Sequence, residues 1–436
     1  MPRRRTIAIV SLALLLAAAP FLPDSHGPQR ALRPAGGGER PADSAYGAIS
    51  PTMQAEIDRV VSAGLRQPAL RGRPAPAAAV ARQIRCATFE GLQYCLHVGW
   101  TDESQTQVQS RLAIAARSLA ARSLASRSAA GPAVDSTGDE SLLDIVDSAA
   151  ARPAQARAAA EREELTQAAR SVAKVWSIRH DIEGVPYPPG FLARHPEVAD
   201  PTGQSVALRS ASASASPSTS ASTSASKSAS ASASPTAGAS SKPKTAADYP
   251  ERDKILDPSQ VAEQTRSYWC GPTSMQMIAW GWSGKDRGQD HWADRLGTTS
   301  SGTDIGAITR VINDATGWDR KAYAGPYITL DIGKYSYQKW YLLVMRHIHD
   351  YRAPIVLHPI LLKRYYPYLD DDASGHYQVG RGYSKRGDKP NLIGYFEPWN
   401  QQRFDPSEPY IDRVQWQRAY NSFRANKAHP FHNIGV

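Results

Sequence analysis

One cysteine in the chain stands where a thiol could act as a nucleophile. Cys270 lies in QTRSYWCGPTSMQMIAW, residues 264–280, and the stretch after Gly271-Pro272 has helical periodicity. The sequence therefore predicts a cysteine at a helix N-terminus, where the helix dipole and free N–H groups favour thiolate over thiol. Gln264, six residues earlier, can aim its amide at an oxyanion beside the Cys270 backbone N–H. The alternative is a buried cysteine that fills the first turn of a core helix.

An imidazole and a carboxylate that could complete such a site lie downstream. GHYQVGRGY, residues 375–383, and NLIGYFEPW, residues 391–399, have the alternation of strands and are separated by a turn-forming segment. In an antiparallel pair, His376 at the start of one strand and Glu397 at the end of the other can hydrogen bond. A thiol, an imidazole and an orienting carboxylate are the parts of a cysteine hydrolase.

These three segments together resemble a known family. QTRSYWCGPTSMQMI, GHYQVGRGY and YFEPWN are similar to the bacteriocin-leader-processing (double-glycine) peptidase-like branch of the papain-fold cysteine peptidases, in its secreted stand-alone form. The similarity covers roughly residues 250–400, and its most specific part is the Gln-x5-Cys-Gly-Pro stretch. The resemblance implies an α+β papain-like domain with a central helix headed by the nucleophile Cys270. It also implies an antiparallel sheet carrying His376, and an oxyanion hole completed by Gln264.

The third member of the site departs from the family pattern. The family usually has Asp before Pro where this chain has Glu397 before Pro398. Because the extra methylene changes the reach of the carboxylate, Asn400 is a second candidate for orienting His376, as asparagine does in papain-like enzymes.

The remaining histidines do not offer a metal-binding pattern. His347 and His349 are two residues apart in a predicted helix and so point to different faces, His358 belongs to a strand-like segment, and His429 lacks ligand spacing. The sequence therefore predicts no metal and no organic cofactor. Helix DIGAITRVINDA, capped by Thr303 or Asp304, is predicted to serve the fold.

The expected reaction is hydrolysis of a peptide or related amide bond through a thioester. The substrate class stays open between extracellular peptides or proteins and cell-wall peptides. Two other functions use the same parts: a catalytically inactive papain-fold surface binding module, and a cell-wall amidase or acyl transferase. Oligomeric state is not legible from the sequence.

The start of the chain and its cysteine count indicate export. MPRRR followed by the apolar IAIVSLALLLAAA predicts a signal peptide over residues 1–27, with a retained membrane anchor as the alternative. No other stretch is long and apolar enough to span a bilayer. Cys86 and Cys95 flank a hairpin-like segment and are predicted to form a disulfide, which leaves Cys270 unpaired. We expect a secreted or cell-surface protein.

The amino-acid composition divides the rest of the chain into an N-terminal region, a linker and a C-terminal domain. Eight of the 10 tryptophans and sixteen of the 19 tyrosines follow residue 245, so residues 249–436 are the predicted peptidase domain. Residues 204–248 include a Ser/Ala-rich flexible linker. Residues 28–203 are predicted to be mostly helical after a disordered start, and 46–203 to be either a pro-region covering the cleft or a spacer. The net charge of +10 is diffuse and no nucleic-acid-binding motif is present.

Overall fold

The computed structural model describes residues 47–67, 76–128, 137–199, 243–320, 324–369, 371–386, 391–399, 412–415, 418–426 and 429–436. The predicted signal peptide, the start of the N-terminal region, most of the linker and Asn400 lie outside these ranges. The α-helices of the described part are Pro51–Arg66, Ala77–Ala81, Gln105–Ser128, Leu142–Ala151, Ala154–Arg170, Val172–Ile178, Phe191–Arg194, Pro196–Ala199, Cys270–Ser283, Gln289–Leu296, Ile305–Ala315, Tyr337–His349 and Arg418–Ala425.

The strands of the described residues form one mainly antiparallel sheet. They are β1 Cys86–Phe89, β2 Leu92–Cys95, β3 Gly99–Thr101, β4 Arg252–Lys254, β5 Thr329–Asp331, β6 Ile355–Leu357, β7 Gln378–Ser384, β8 Leu392–Phe396, β9 Asp412–Gln415 and β10 Asn433–Gly435. Their order is β1-β2-β3-β5-β10-β6-β7-β8-β9, and β4 also pairs with β7. The fold is thus mixed, with helices packed on a sheet, as the sequence predicts at this coarse level.

The strand pair predicted to carry the imidazole and the carboxylate is present. β7 and β8 are antiparallel, and Val379 pairs with Phe396. His376 lies two residues before β7 and Glu397 directly follows β8, so this register brings both residues to the same end of the pair.

Two helices beside this strand pair begin where the sequence predicts. The helix Cys270–Ser283 starts at the cysteine, and Pro272 is accommodated in its first turn, where a backbone N–H is not needed. The helix Ile305–Ala315 is capped by the Asp304 side chain, which accepts a hydrogen bond from the Gly306 N–H.

The residues before the linker are built into the same sheet as the residues after it. β1 and β2 form a hairpin closed by the Cys86–Cys95 disulfide, which confirms that pairing. β3 then pairs in parallel with β5 through Trp100 and Leu330. One hydrophobic cluster contains Phe89, Trp100 and Trp176 together with Trp340 and Tyr383 from beyond the linker. These large side chains of the N-terminal region are therefore buried against the C-terminal region.

Among the described residues, no helix combines the length and the apolar character needed to cross a membrane.

Candidate active site

Cys270 is completely buried at the first position of its helix. The turn that leads into the helix is held by Thr273, whose backbone N–H and hydroxyl both donate to the Trp269 carbonyl at 3.0 and 2.8 Å. Gly271 has to lack a side chain, because a Cβ there would overlap the Thr303 side chain. The Gly-Pro pair thus allows the start of the helix to approach the 302–304 segment closely.

The two groups predicted to stabilise an oxyanion converge on one oxygen atom. The Cys270 backbone N–H donates to the carbonyl oxygen of Thr137 at 3.2 Å. The Gln264 side-chain Nε2 donates to the same oxygen at 3.3 Å. A peptide carbonyl from the N-terminal region therefore sits between the donors that an oxyanion hole requires.

Gln264 is tied to the end of the strand pair that carries His376. Its backbone N–H donates to the Pro398 carbonyl at 2.8 Å. Its Nε2 also lies 2.9 and 2.7 Å from the carbonyls of Arg266 and Ser267, while its buried Oε1 has no hydrogen-bond partner among the described residues. These contacts fix the amide nitrogen towards the Thr137 carbonyl.

His376 is oriented by Glu397 deep inside the protein. The His376 Nε2 lies 2.5 Å from Glu397 Oε1, and both side chains are buried. Glu397 is itself held by the Gln378 amide at 2.6 Å and by the Trp399 backbone N–H at 2.9 Å. Since a carboxylate only accepts hydrogen bonds, we assign the proton to Nε2, which leaves the lone pair on Nδ1. Nδ1 is buried and has no hydrogen-bond partner within the described ranges, so it is available as a base.

The thiol lies beside the segment that carries this imidazole. The backbone N–H groups of Tyr377, the residue after His376, and of Gly271 interact with Cys270 and favour the thiolate. Burial outweighs them and, together with the Asp139 and Glu397 carboxylates, raises the pKa of Cys270 well above its ordinary value. In the state described here the cysteine is a thiol, in contrast to the thiolate that its place at a helix N-terminus favours.

A second cluster of titratable groups adjoins the thiol. Asp139 Oδ2 lies 3.1 Å from His358 Nε2 and 3.4 Å from His429 Nε2, and all three side chains are buried. The Asn426 side-chain nitrogen lies 3.2 Å from the same carboxylate oxygen. The sequence places His358 in a strand-like segment and shows no ligand spacing for His429, and the structure brings both histidines to one aspartate of the N-terminal region.

Several site residues are not evident from sequence. Gln378 could have been found, because it shares a face with His376 two residues earlier on the strand path. Thr137 and Asp139 carry no local signal that links them to residues more than a hundred positions away. Asn400, the alternative orienting residue, lies outside the described residues.

A family model matches the segment of the chain that contains these elements. Residues 256–427 match the model of the Peptidase_C39 like family. The match covers the cysteine helix and the β7–β8 pair and indicates a cysteine peptidase-like hydrolase of papain type over that segment. No curated protein and no solved structure matches the chain.

Proposed function

We propose that this protein is an exported cysteine peptidase that hydrolyses peptide bonds outside the cell. Cys270 is the nucleophile, His376 the general base and acid, Glu397 the residue that positions His376, and Gln264 an oxyanion donor. The observation that best supports this assignment is the Thr137 carbonyl, which accepts from both the Cys270 N–H and the Gln264 amide. A site that holds a peptide carbonyl in this way is suited to acyl transfer from a peptide.

The reaction begins with transfer of the thiol proton to Nδ1 of His376. The sulfur attacks the carbonyl carbon, and the Cys270 N–H and the Gln264 amide stabilise the negative charge on the oxygen. The imidazolium, held by Glu397, then gives its proton to the leaving amine. Water, activated by the same imidazole, hydrolyses the thioester and restores the thiol. The raised pKa of Cys270 makes this proton transfer part of the reaction, since a thiolate is not preformed when the site is covered.

The disulfide Cys86–Cys95 supports export, because disulfides persist in oxidising compartments. Extracellular proteins and cell-wall peptides are both substrates that such a location would supply.

The test is hydrolysis of a peptide library and of peptidoglycan fragments by the full mature chain, read by mass spectrometry. Cys270→Ala should show no turnover, and iodoacetamide should label only Cys270, the free cysteine of the described residues. Substrate binding without turnover, in a chain whose Cys270 resists alkylation even when the pH is raised beyond 9.0, would contradict the proposal and favour the binding-module function.

A further inference from the structure

The stretch Thr137–Glu140 lies across the proposed active site and bends at Gly138. The Thr137 N–H donates to Ser374 Oγ at 3.0 Å, and the Thr137 hydroxyl donates to the Gly375 carbonyl. On the other side of the Thr137–Gly138 bond, the Thr303 N–H donates to the Gly138 carbonyl at 2.9 Å. The Glu140 N–H donates to the Thr303 carbonyl at 3.1 Å. Hydrogen bonds therefore hold both sides of one peptide bond, through the hydroxyl groups of Ser374 and Thr137 on one side and through backbone pairing with Thr303 on the other.

The surface around this stretch is shaped for it. Gly138 has a φ of +110°, and a Cβ there would overlap the Tyr268 backbone. A Cβ on Gly302 would overlap the Gly138 carbonyl, and one on Gly375 would overlap the Asp139 carboxylate. Three glycines thus permit a close approach that any side chain would prevent.

From this fit we infer that the Thr137–Gly138 peptide bond is a substrate of the chain's own Cys270. The inference rests on the proposed function and adds a self-processing step to it. The Thr137 carbonyl oxygen already lies between the two oxyanion donors, which marks its carbonyl carbon as the one to be attacked.

The step balances without any co-reactant other than water. The bond from Cys270 Sγ to the Thr137 carbonyl carbon forms, and the bond from that carbon to the Gly138 nitrogen breaks. The thiol proton passes through His376 to the Gly138 nitrogen. Water then cleaves the thioester, so one product ends in the carboxylate of Thr137, the other begins with the amine of Gly138, and the thiol is restored.

The two products should stay together after the cut. β3 remains paired with β5 across the cut, and the Phe89 and Trp100 side chains remain in the shared core. Self-processing would therefore be invisible under native conditions, and its detection needs a denatured sample.

The experiment follows the full chain from a freshly refolded or freshly secreted sample by intact mass and N-terminal sequencing after denaturation. We expect a product that begins at Gly138, formed with a rate independent of protein concentration and absent in Cys270→Ala. Gly138→Ala should slow the cut roughly 10²-fold or more, because it displaces the bond from the two oxyanion donors. The matched control is Gly184→Ala, at a glycine with a φ of +75° whose Cβ would meet no other atom within 4 Å.

The outcomes separate this inference from the proposed function. A wild-type chain that hydrolyses library peptides while its Thr137–Gly138 bond stays intact would overturn self-processing and leave the peptidase. The same product in Cys270→Ala would assign the cut to another protease and also overturn it. A chain that neither cuts itself nor hydrolyses any peptide would overturn both.

A separate observation concerns the cluster of Asp139, His358 and His429. His358 Nδ1 lies 3.0 Å from Asn433 Oδ1, and the Asn433 amide nitrogen faces the Val98 carbonyl, so Nδ1 carries the proton. The His429 ring donates to the Glu140 backbone carbonyl. In their neutral forms, both imidazoles then present a lone pair on Nε2 to the Asp139 carboxylate.

Three lone pairs that face one another in a buried space repel one another, and a bound cation would stabilise this arrangement. The three ligand atoms lie within 4.8 Å of one another. The Nε2–Oδ2 separations of 3.1 and 3.4 Å match the separation of about 3.3 Å expected between ligands bound tetrahedrally at about 2.0 Å. Asn433 and Glu140 supply the outer hydrogen bonds that usually fix metal-binding histidines.

The geometry points to a site for a divalent cation of the zinc class, with Asp139, His358 and His429 as ligands. Since Asp139 follows Gly138 by one residue, the cation would join the stretch Thr137–Glu140 to the C-terminal region through His358 and His429.

The test is calorimetric titration of the metal-stripped full chain with zinc sulfate, in a Cys270→Ala background that removes the free thiol as a ligand. We expect about one equivalent to bind, with binding lost in His429→Ala and retained in His349→Ala, a matched control outside the cluster. Asn433→Ala should weaken binding roughly 10- to 100-fold. Cobalt(II) absorption of a four-coordinate site would confirm the geometry in the folded protein. No binding, or equal binding in His429→Ala, would overturn the site.

Discussion

Replacing Glu397 with glutamine separates the charge of this residue from its shape. The carboxylate accepts hydrogen bonds from His376 and from the Trp399 N–H on Oε1, and from Gln378 on Oε2. A glutamine can keep its oxygen at the Oε1 position, but its amide nitrogen would then face the Gln378 nitrogen. The buried Gln378 Oε1 has no hydrogen-bond partner among the described residues, so a flip of the Gln378 amide restores a hydrogen bond. We therefore expect a loss of only about 1 kcal/mol in the free energy of unfolding.

The effect on the reaction should be larger. A hydrogen bond to a charged partner contributes about 1.5–3 kcal/mol, and it matters most when His376 is an imidazolium. Because each 1.36 kcal/mol changes a rate tenfold, kcat of Glu397→Gln should fall roughly 10- to 150-fold with little change in KM. Glu397→Asp keeps the negative charge on a shorter side chain, so the kcat of this variant should lie between that of the wild type and that of Glu397→Gln.

A pH profile distinguishes this positioning role from a merely structural one. The Glu397 carboxylate helps to raise the pKa of Cys270, so its neutralisation should lower that pKa. Alkylation of Cys270 in Glu397→Gln should therefore begin at lower pH than in the wild type, although kcat falls. An unchanged kcat, or an alkylation profile that does not move, would refute this account of Glu397.

Four further outcomes are expected. Cys270→Ala should abolish turnover at a cost of about 1 kcal/mol in thermal or denaturant unfolding, and residual hydrolysis would exclude Cys270 as nucleophile. Gln264→Ala should lower kcat roughly 10²-fold or more with little change in KM in steady-state assays, and an equal rate would mean that other groups hold the oxyanion. In the uncut chain, Cys270 should stay a thiol at neutral pH, because burial raises its pKa. Its rate of alkylation should therefore increase only when the pH rises beyond 9.0, and fast alkylation at pH 7 would contradict this prediction. The Cys86–Cys95 disulfide closes a loop with a sequence separation of 9, so its reduction should lower the free energy of unfolding by about 2–3 kcal/mol. Calorimetry with and without reductant measures this, and an unchanged melting temperature would contradict the prediction.

The parts of the site that lie on local elements could be predicted from sequence. The start of the cysteine helix depends on Gly271 and Pro272, which are its neighbours in the chain. His376 and Glu397 come together because two strands that are close in sequence pair antiparallel, with Val379 opposite Phe396. These are short-range effects, which periodicity and turn residues report directly.

The long-range parts could not be predicted. Thr137 reaches the site through hydrogen bonds to residues 127 to 238 positions away. Asp139 meets His358 across 219 positions, and no spacing rule applies over such a distance. Trp100 pairs with Leu330 of β5 and packs in a core shared by both regions, and no local pattern in the sequence predicts this pairing.

The position of β10 determines how the two halves of the sheet are held together. Among the described strands, β5 and β6 are joined only through β10, residues Asn433–Gly435, which pairs with both strands in the middle of the sheet. Without β10, the facing edges of β5 and β6 would each present unpaired N–H and C=O groups. Open edges of this kind are templates for pairing with another chain, so removal of Asn433–Gly435 would turn the centre of the sheet into a site of aggregation.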